Sequence, residues 1–111
     1  DKVTGRSDDM IILRGVNVFP TQIEEIVLGT DGLAPHFQLR LTRQDRMDHL
    51  TVLVEADPDA PQERRRAASN EVAERVKDGV GVTVGVEVVD PESLERSVGK
   101  LRRVVDQRPP Q

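Results

Sequence analysis

Val82, Val84, Val86 and Val88 recur at every second position, separated by Thr83, Gly85 and Glu87 and followed by Val89. A β-strand puts residues two apart on one face, so this alternation predicts a strand over 82–89. The same period appears twice more. Phe37, Leu39 and Leu41 alternate with Gln38, Arg40 and Thr42, and Leu50, Val52, Val54 and Ala56 alternate with Thr51, Leu53 and Glu55. Both runs predict half-buried strands, joined across the polar stretch 43–48 as an antiparallel hairpin.

Between the strands the period changes. Phe19, Ile23, Ile26 and Val27 share a helical stripe behind Pro20, a residue suited to a first helical turn, and Glu24 and Glu25 lie near that helix start. A short helix over 20–28 follows, with Gly29 as its stop. From 62 to 78, Ala68, Val72, Ala73 and Val76 fall on one helical face with charges opposite, and Gly79 and Gly81 end the run. Upstream, the apolar run 10–13, then Arg14-Gly15, then Val16-Asn17-Val18 predict a small hairpin, because Gly15 can take the positive φ of a tight turn. The expected architecture is α+β: this small N-terminal β-hairpin, then a three-stranded, mainly antiparallel sheet with two helices packed on one face. Beyond Asp90-Pro91 the chain reads as a charged tail with little periodicity.

With 111 residues the chain has the size of one domain and can bury roughly two-thirds of its unfolded surface. It has no cysteine, which excludes disulfides, a thiolate nucleophile and a zinc ribbon. Its two histidines, His36 and His49, have no clustered partners in sequence, so no metal site is expected. A net charge of −4 and only two aromatic residues, Phe19 and Phe37, argue against nucleic acid as a partner. No apolar stretch approaches the length of a membrane span and no signal peptide opens the chain, so the expected location is cytoplasmic, without a membrane partner. The chain opens at Asp1, and residues 1–9 are polar and Gly-containing. They read as an interdomain linker or hinge, with 10–111 as one domain cut from a longer protein.

Four segments invite a chemical reading. Gly5-Arg6-Ser7-Asp8-Asp9 is a solvated linker by composition; alternatively Arg6 offers a donor fork to an anion and the acidic pair marks a pivot. Residues 96–103 hold Arg96, Lys100, Arg102 and Arg103 and no acid. They are a solvated basic tail, or a loop in which Gly99 lets backbone approach a ligand and Lys100 neutralises charge on a phosphate. This is no Walker A loop, since position 94 is Leu rather than Gly. The hairpin tip around Arg14, Gly15 and Val16 is equally a simple turn. Arg64-Arg65-Arg66 reads as a solvated helix face balanced by Glu63, Glu71 and Glu74.

Taken together, the segments resemble a known family. The run 5–25, GRSDDMIILRGVNVFPTQIEE, resembles the linker and hairpin motif of adenylate-forming enzymes, and Gly15-Val16-Asn17-Val18-Phe19-Pro20 is similar to the form seen in phenylacetate–CoA ligases. The tail from Arg96 to Asp106, RSVGKLRRVVD, resembles their C-terminal catalytic-lysine motif, with Leu101 where relatives often carry a small residue. The resemblance covers the whole chain and implies the C-terminal lid domain of such a ligase, partnered by a large N-terminal adenylation domain of the same chain. It implies an ATP- and Mg²⁺-dependent, AMP-forming activation of an aryl-acetic acid, then transfer to coenzyme A. Within that scheme Lys100 matches the catalytic lysine, Arg6 a nucleotide-binding residue and Asp8 the hinge, while Arg14, Gly15 and Val16 form a hairpin facing coenzyme A. None of these cofactors is expected to bind tightly to this chain alone, and a homodimer of the full-length enzyme is left open. The competing reading is a freestanding α+β module that binds a metabolite or partner.

Overall fold

The computed structural model describes residues 10–94 and 104–107. Its elements run β1 (Ile11–Leu13), β2 (Val16–Val18), α1 (Pro20–Leu28), β3 (Leu33–Gln44), β4 (Met47–Ala56), α2 (Gln62–Gly79), β5 (Gly85–Val89) and β6 (Val104–Asp106). β1 and β2 form a separate antiparallel ribbon, and the other strands form one sheet in the order β5-β4-β3-β6. The α+β class, the hairpin and both helices stand as the sequence implies.

The sheet is richer than expected in two respects. It has four strands rather than three, and it is mixed: β3 and β4 are antiparallel, while β5 runs parallel to β4 and β6 parallel to β3. The first difference comes from the tail, where Val104–Asp106 pairs with Leu39, Arg40 and Leu41. A three-residue strand is too short to show a period. The second follows from α2. Its 18 residues span about 27 Å at 1.5 Å per residue, so the helix returns the chain to the start of β4 before β5 begins.

Two strand boundaries also differ from the alternation pattern. β3 and β4 run through the supposed loop to a two-residue turn, Asp45-Arg46, at φ of 52° and 66°. Both central residues at positive φ is the turn geometry that matches strand twist, but Asp-Arg lacks the glycine that usually announces it. Arg43 and Asp48 face each other across this hairpin and pair at 2.8 Å. β5, conversely, begins only at Gly85. Val82 and Val84 are buried as the alternation implies, but the carbonyl of Thr83 accepts from the Arg14 side chain rather than from a strand.

One face of the sheet carries the core. Across β3 and β4 the pairs Phe37/Val54, Leu39/Val52 and Leu41/Leu50 stack side by side, all buried. Ile23 and Val27 from α1, Val72 and Val76 from α2, and Ile11, Leu13 and Val18 from the hairpin close over them. α1 starts with Phe19 in an extended conformation; its amide donates to the Gln22 side chain at 2.9 Å, and Pro20 takes the first helical position. Glu24 and Glu25 fall beyond that first turn. At the other end of α1, Arg75 from α2 donates to the Gly29 carbonyl and the Thr30 hydroxyl, closing the helix terminus and tying the helices together.

The opposite sheet face is not simply solvent-facing. On β4, Leu53 and Glu55 lie on that side and are both buried, Glu55 to 1% exposure.

Candidate functional site at two ends of the sheet

Of the predicted site residues, Arg14, Gly15 and Val16 are described. Arg6, Asp8 and Lys100 lie outside the described residues, as does the predicted 1–9 linker.

The hairpin tip is Arg14-Gly15, at φ of 49° and 83°. A Cβ on Gly15 would meet nothing within 4 Å, so the glycine is required by backbone conformation, and the tip faces open space. Val16 turns inward against the core. Arg14 does not project freely. Its guanidinium donates to the Asp48 carbonyl at 2.8 Å and the Thr83 carbonyl at 2.7 Å, bracing the tip against the start of β4 and the approach to β5. Two surface depressions meet at this arginine. One is lined by Arg43, Arg46, Asp45 and Asp48, the other by His49, Thr51, Thr83 and Gly85. The tip is therefore a braced corner of mixed charge whose backbone is accessible at Gly15.

The other end of the sheet is built around Glu55. Its carboxylate accepts the backbone N–H of Glu92 at 2.9 Å and of Leu94 at 3.0 Å. These residues follow β5, and Leu94 is the last described residue before the segment that contains Lys100. The chain is described again at Val104, beside Leu39. In sequence, Lys100 lies between these two described stretches, and β6 runs parallel to β3 toward the hairpin end. Glu55 was hidden in the sequence, where it reads as an outward polar residue of an alternating strand.

Asp48, which anchors the hairpin tip, and Glu55 are seven residues apart on one strand. At ~3.3 Å per residue that is about 23 Å. Among the described residues no group of three His, Asp or Glu side chains converges in a way that could hold a metal ion, and no helix is long and apolar enough to cross a membrane.

Residues 15–108 match the family described as AMP-binding enzyme C-terminal domain. The chain belongs to that family. The match includes Gly15, Val16 and Lys100 and stops short of Arg6, Asp8 and Arg14. Among relatives of this C-terminal domain, the phenylacetate-coenzyme A ligase of Aromatoleum evansii is 45% identical over 113 residues, covering 97% of this chain and 26% of the relative. The phenylacetate-coenzyme A ligase of Escherichia coli strain K12 is 41% identical over 111 residues, with coverages of 97% and 25%. The chain thus spans about a quarter of the length of these curated relatives. A solved domain of phenylacetate-coenzyme A ligase from Bacteroides vulgatus superposes with a TM-score of 0.84 at 35% identity, over 96% of this chain and all of that one. A 2-hydroxyisobutyryl-CoA ligase, in complex with 2-HIB-AMP and CoA in the thioesterification state, superposes with a TM-score of 0.82 at 34% identity, over 94% of this chain and 22% of that one. The mixed sheet with its antiparallel hairpin is the fold of this C-terminal domain.

Proposed function

We propose that this chain is the mobile C-terminal lid of an aryl-acetate–CoA ligase of the phenylacetate type, working against a large adenylation domain. Membership of the C-terminal domain family favours this reading over a freestanding metabolite-binding module. The arrangement that supports this reading is the separation of the hairpin tip from the Glu55 end, where the described chain stops six residues before Lys100, about 23 Å along β4. A side chain covers only a fraction of that distance. One reacting centre cannot meet both ends in one pose, so the domain turns between half-reactions.

In the first half-reaction a substrate carboxylate oxygen attacks the α-phosphorus of ATP, and the bond to pyrophosphate breaks. Both reactants are anionic and charge concentrates at the phosphoryl oxygens. The Glu55 end faces the centre in this pose, and the Lys100 ammonium offsets that charge where it is greatest. Arg6 contacts the nucleotide. In the second half-reaction the sulfur of coenzyme A attacks the acyl carbonyl, AMP leaves, and the thiol proton is lost to solvent or base. The hairpin end faces the centre in this pose. Arg14 steadies the tip, and the bare backbone at Gly15 lets the thiol arm pass closely. Asp8 is the pivot between the poses. In this reading the Mg²⁺ of the first step arrives with the nucleotide.

The test uses the full-length protein carrying this domain. Lys100→Ala should slow ATP–pyrophosphate exchange roughly 10²–10³-fold, the scale for removing one preorganised charge-stabilising donor. Thioester formation from supplied acyl-adenylate should be unchanged. A parallel fall in both rates would overturn the assignment.

A further inference from the structure

Glu55 is a carboxylate buried to 1% exposure near the end of β4, and the proposed chemistry does not use it. Burying such a group is costly unless its oxygens are satisfied, and here both are turned to backbone amides: Oε1 accepts from Glu92 and Oε2 from Leu94. The turn that carries the Glu92 amide, just before Leu94, is strained. Asp90-Pro91-Glu92-Ser93 closes with the Ser93 amide donating to the Asp90 carbonyl at 3.2 Å, and Glu92 sits at φ 65°. That position of such a turn normally takes glycine or asparagine, because a side chain there crowds the backbone. A residue in this conformation persists only where its surroundings over-determine it, and Glu55 supplies that determination.

We propose that Glu55 is a positioning residue for adenylation: by holding the amides of Glu92 and Leu94, its buried carboxylate fixes where the Lys100-bearing segment leaves the sheet. The inference rests on the role proposed for Lys100 and adds a residue that the motif does not contain. Nine residues separate Leu94 from Val104, and Lys100 is six residues beyond Leu94. Val104 is held by pairing with β3 and Leu94 by Glu55, so both described residues that flank the lysine segment are anchored. In this proposal, freeing one of these anchors costs precision in placing the lysine. Errors of about 1 Å in placing a reacting group can cost on the order of 10²-fold.

Two measurements test this. In this chain, Glu55→Gln keeps the side-chain volume but offers one acceptor, and its NH₂ opposes the second amide. Hydrogen exchange at Glu92 and Leu94 should accelerate at least about tenfold while the Val52 amide stays protected. Unaltered exchange at both amides overturns the tether. In the full-length protein, Glu55→Gln should lower ATP–pyrophosphate exchange about 10–100-fold and leave thioester formation from supplied acyl-adenylate unchanged. Added to Lys100→Ala it should cause no further loss, because it acts through that lysine. Equal falls in both half-reactions, or additive losses, overturn the positioning role. A full effect of Lys100→Ala beside unaltered pyrophosphate exchange in Glu55→Gln overturns it alone; no effect of Lys100→Ala overturns the Lys100 assignment and this inference together. Glu92→Pro, at an exposed position, removes one donated amide and cannot adopt a positive φ, so it tests the same tether from the surface and should give the same split.

Discussion

At the hairpin end of the sheet a guanidinium donates to two backbone carbonyls; at the other end a carboxylate accepts from two backbone amides. The two braces are mirror images in chemistry and opposites in environment. Arg14 is exposed, and water can replace what it gives to Asp48 and Thr83. Glu55 is buried, and nothing polar in solvent can reach it. The hairpin corner is therefore shaped by a backbone conformation, the positive φ at Arg14 and Gly15, and merely steadied by its arginine. The Glu55 end is shaped by its carboxylate, which holds a turn that would otherwise relax. The proposed roles fit this division. A corner that lets a flexible thiol arm slide past needs an open backbone. A segment that delivers one ammonium to one phosphate needs a fixed root.

The largest expected effect is one that should not distinguish the ends at all. Leu39 has no exposed surface and lies in the middle of β3, beside Val52 on one side and Val104 on the other. Leu39→Ala should cost about 2–5 kcal/mol, read by chemical denaturation of this chain. In the full-length protein both half-reactions should then fall together as the domain unfolds. A selective loss of one would mean that the ends are not joined by a shared core.

Next comes the counterpart of the lysine test. Gly15→Val puts a β-branched residue at φ 83°, where there is room for it but no comfortable backbone conformation. The tip must distort or carry a strain of about 1–3 kcal/mol. Thioester formation from supplied acyl-adenylate should drop about 10–100-fold while pyrophosphate exchange holds. Exchange falling in step would remove the hairpin from the second half-reaction.

How much of this contrast is legible in the sequence depends on which force writes each end. Burial in the core imposes a period, so Phe37, Leu39 and Leu41, Leu50, Val52 and Val54, and the Ile23 and Val72 stripes can be read directly. Gly15 is legible too, because a turn that requires positive φ leaves a glycine behind. The Asp45-Arg46 turn uses the same geometry without one, so the strands on either side look shorter than they are. Val104–Asp106 is too short to carry a period, and its pairing with β3 depends on a partner 65 residues away. Glu55 is the instructive miss. In an alternating strand a charged residue on the off-beat reads as solvent-facing, and nothing in the pattern shows that the amides of Glu92 and Leu94 return to meet it. The parallel placement of β5, by contrast, could have been anticipated, since a long helix between two strands returns the chain to where the first strand began.

A smaller effect separates steadying from shaping at the hairpin. Arg14→Ala removes two donated hydrogen bonds whose acceptors water can take over, so it should cost this chain about 0.5–1.5 kcal/mol. Its signature in the full-length protein should be a modest, selective loss in thioester formation. Arg14→Lys should restore little of it, because a single ammonium cannot span the Asp48 and Thr83 carbonyls as the planar fork does. Full rescue by lysine would mean that charge, not bracing, is what the corner supplies.

The smallest effect lies just beyond that corner, in the cross-strand pair Arg43–Asp48. The Nε–Oδ1 distance is 2.8 Å, and the side chains keep 29% and 19% of their surface exposed. Part-exposed pairs of this kind contribute about 0.2–1 kcal/mol, and salt weakens them. The pair stands where the two-residue turn has no glycine to define it, so its charge complementarity helps hold the register of β3 against β4. A double-mutant cycle with Arg43→Gln and Asp48→Asn, followed by denaturation of this chain at low and high salt, should return a coupling within that range that shrinks as salt rises. The carbonyl that Arg14 grips belongs to the backbone of Asp48 and survives both substitutions, so the hairpin brace should persist. A coupling well above 1 kcal/mol, or one indifferent to salt, would show that this corner, too, is shaped by a side chain, and the contrast with the Glu55 end would fail there.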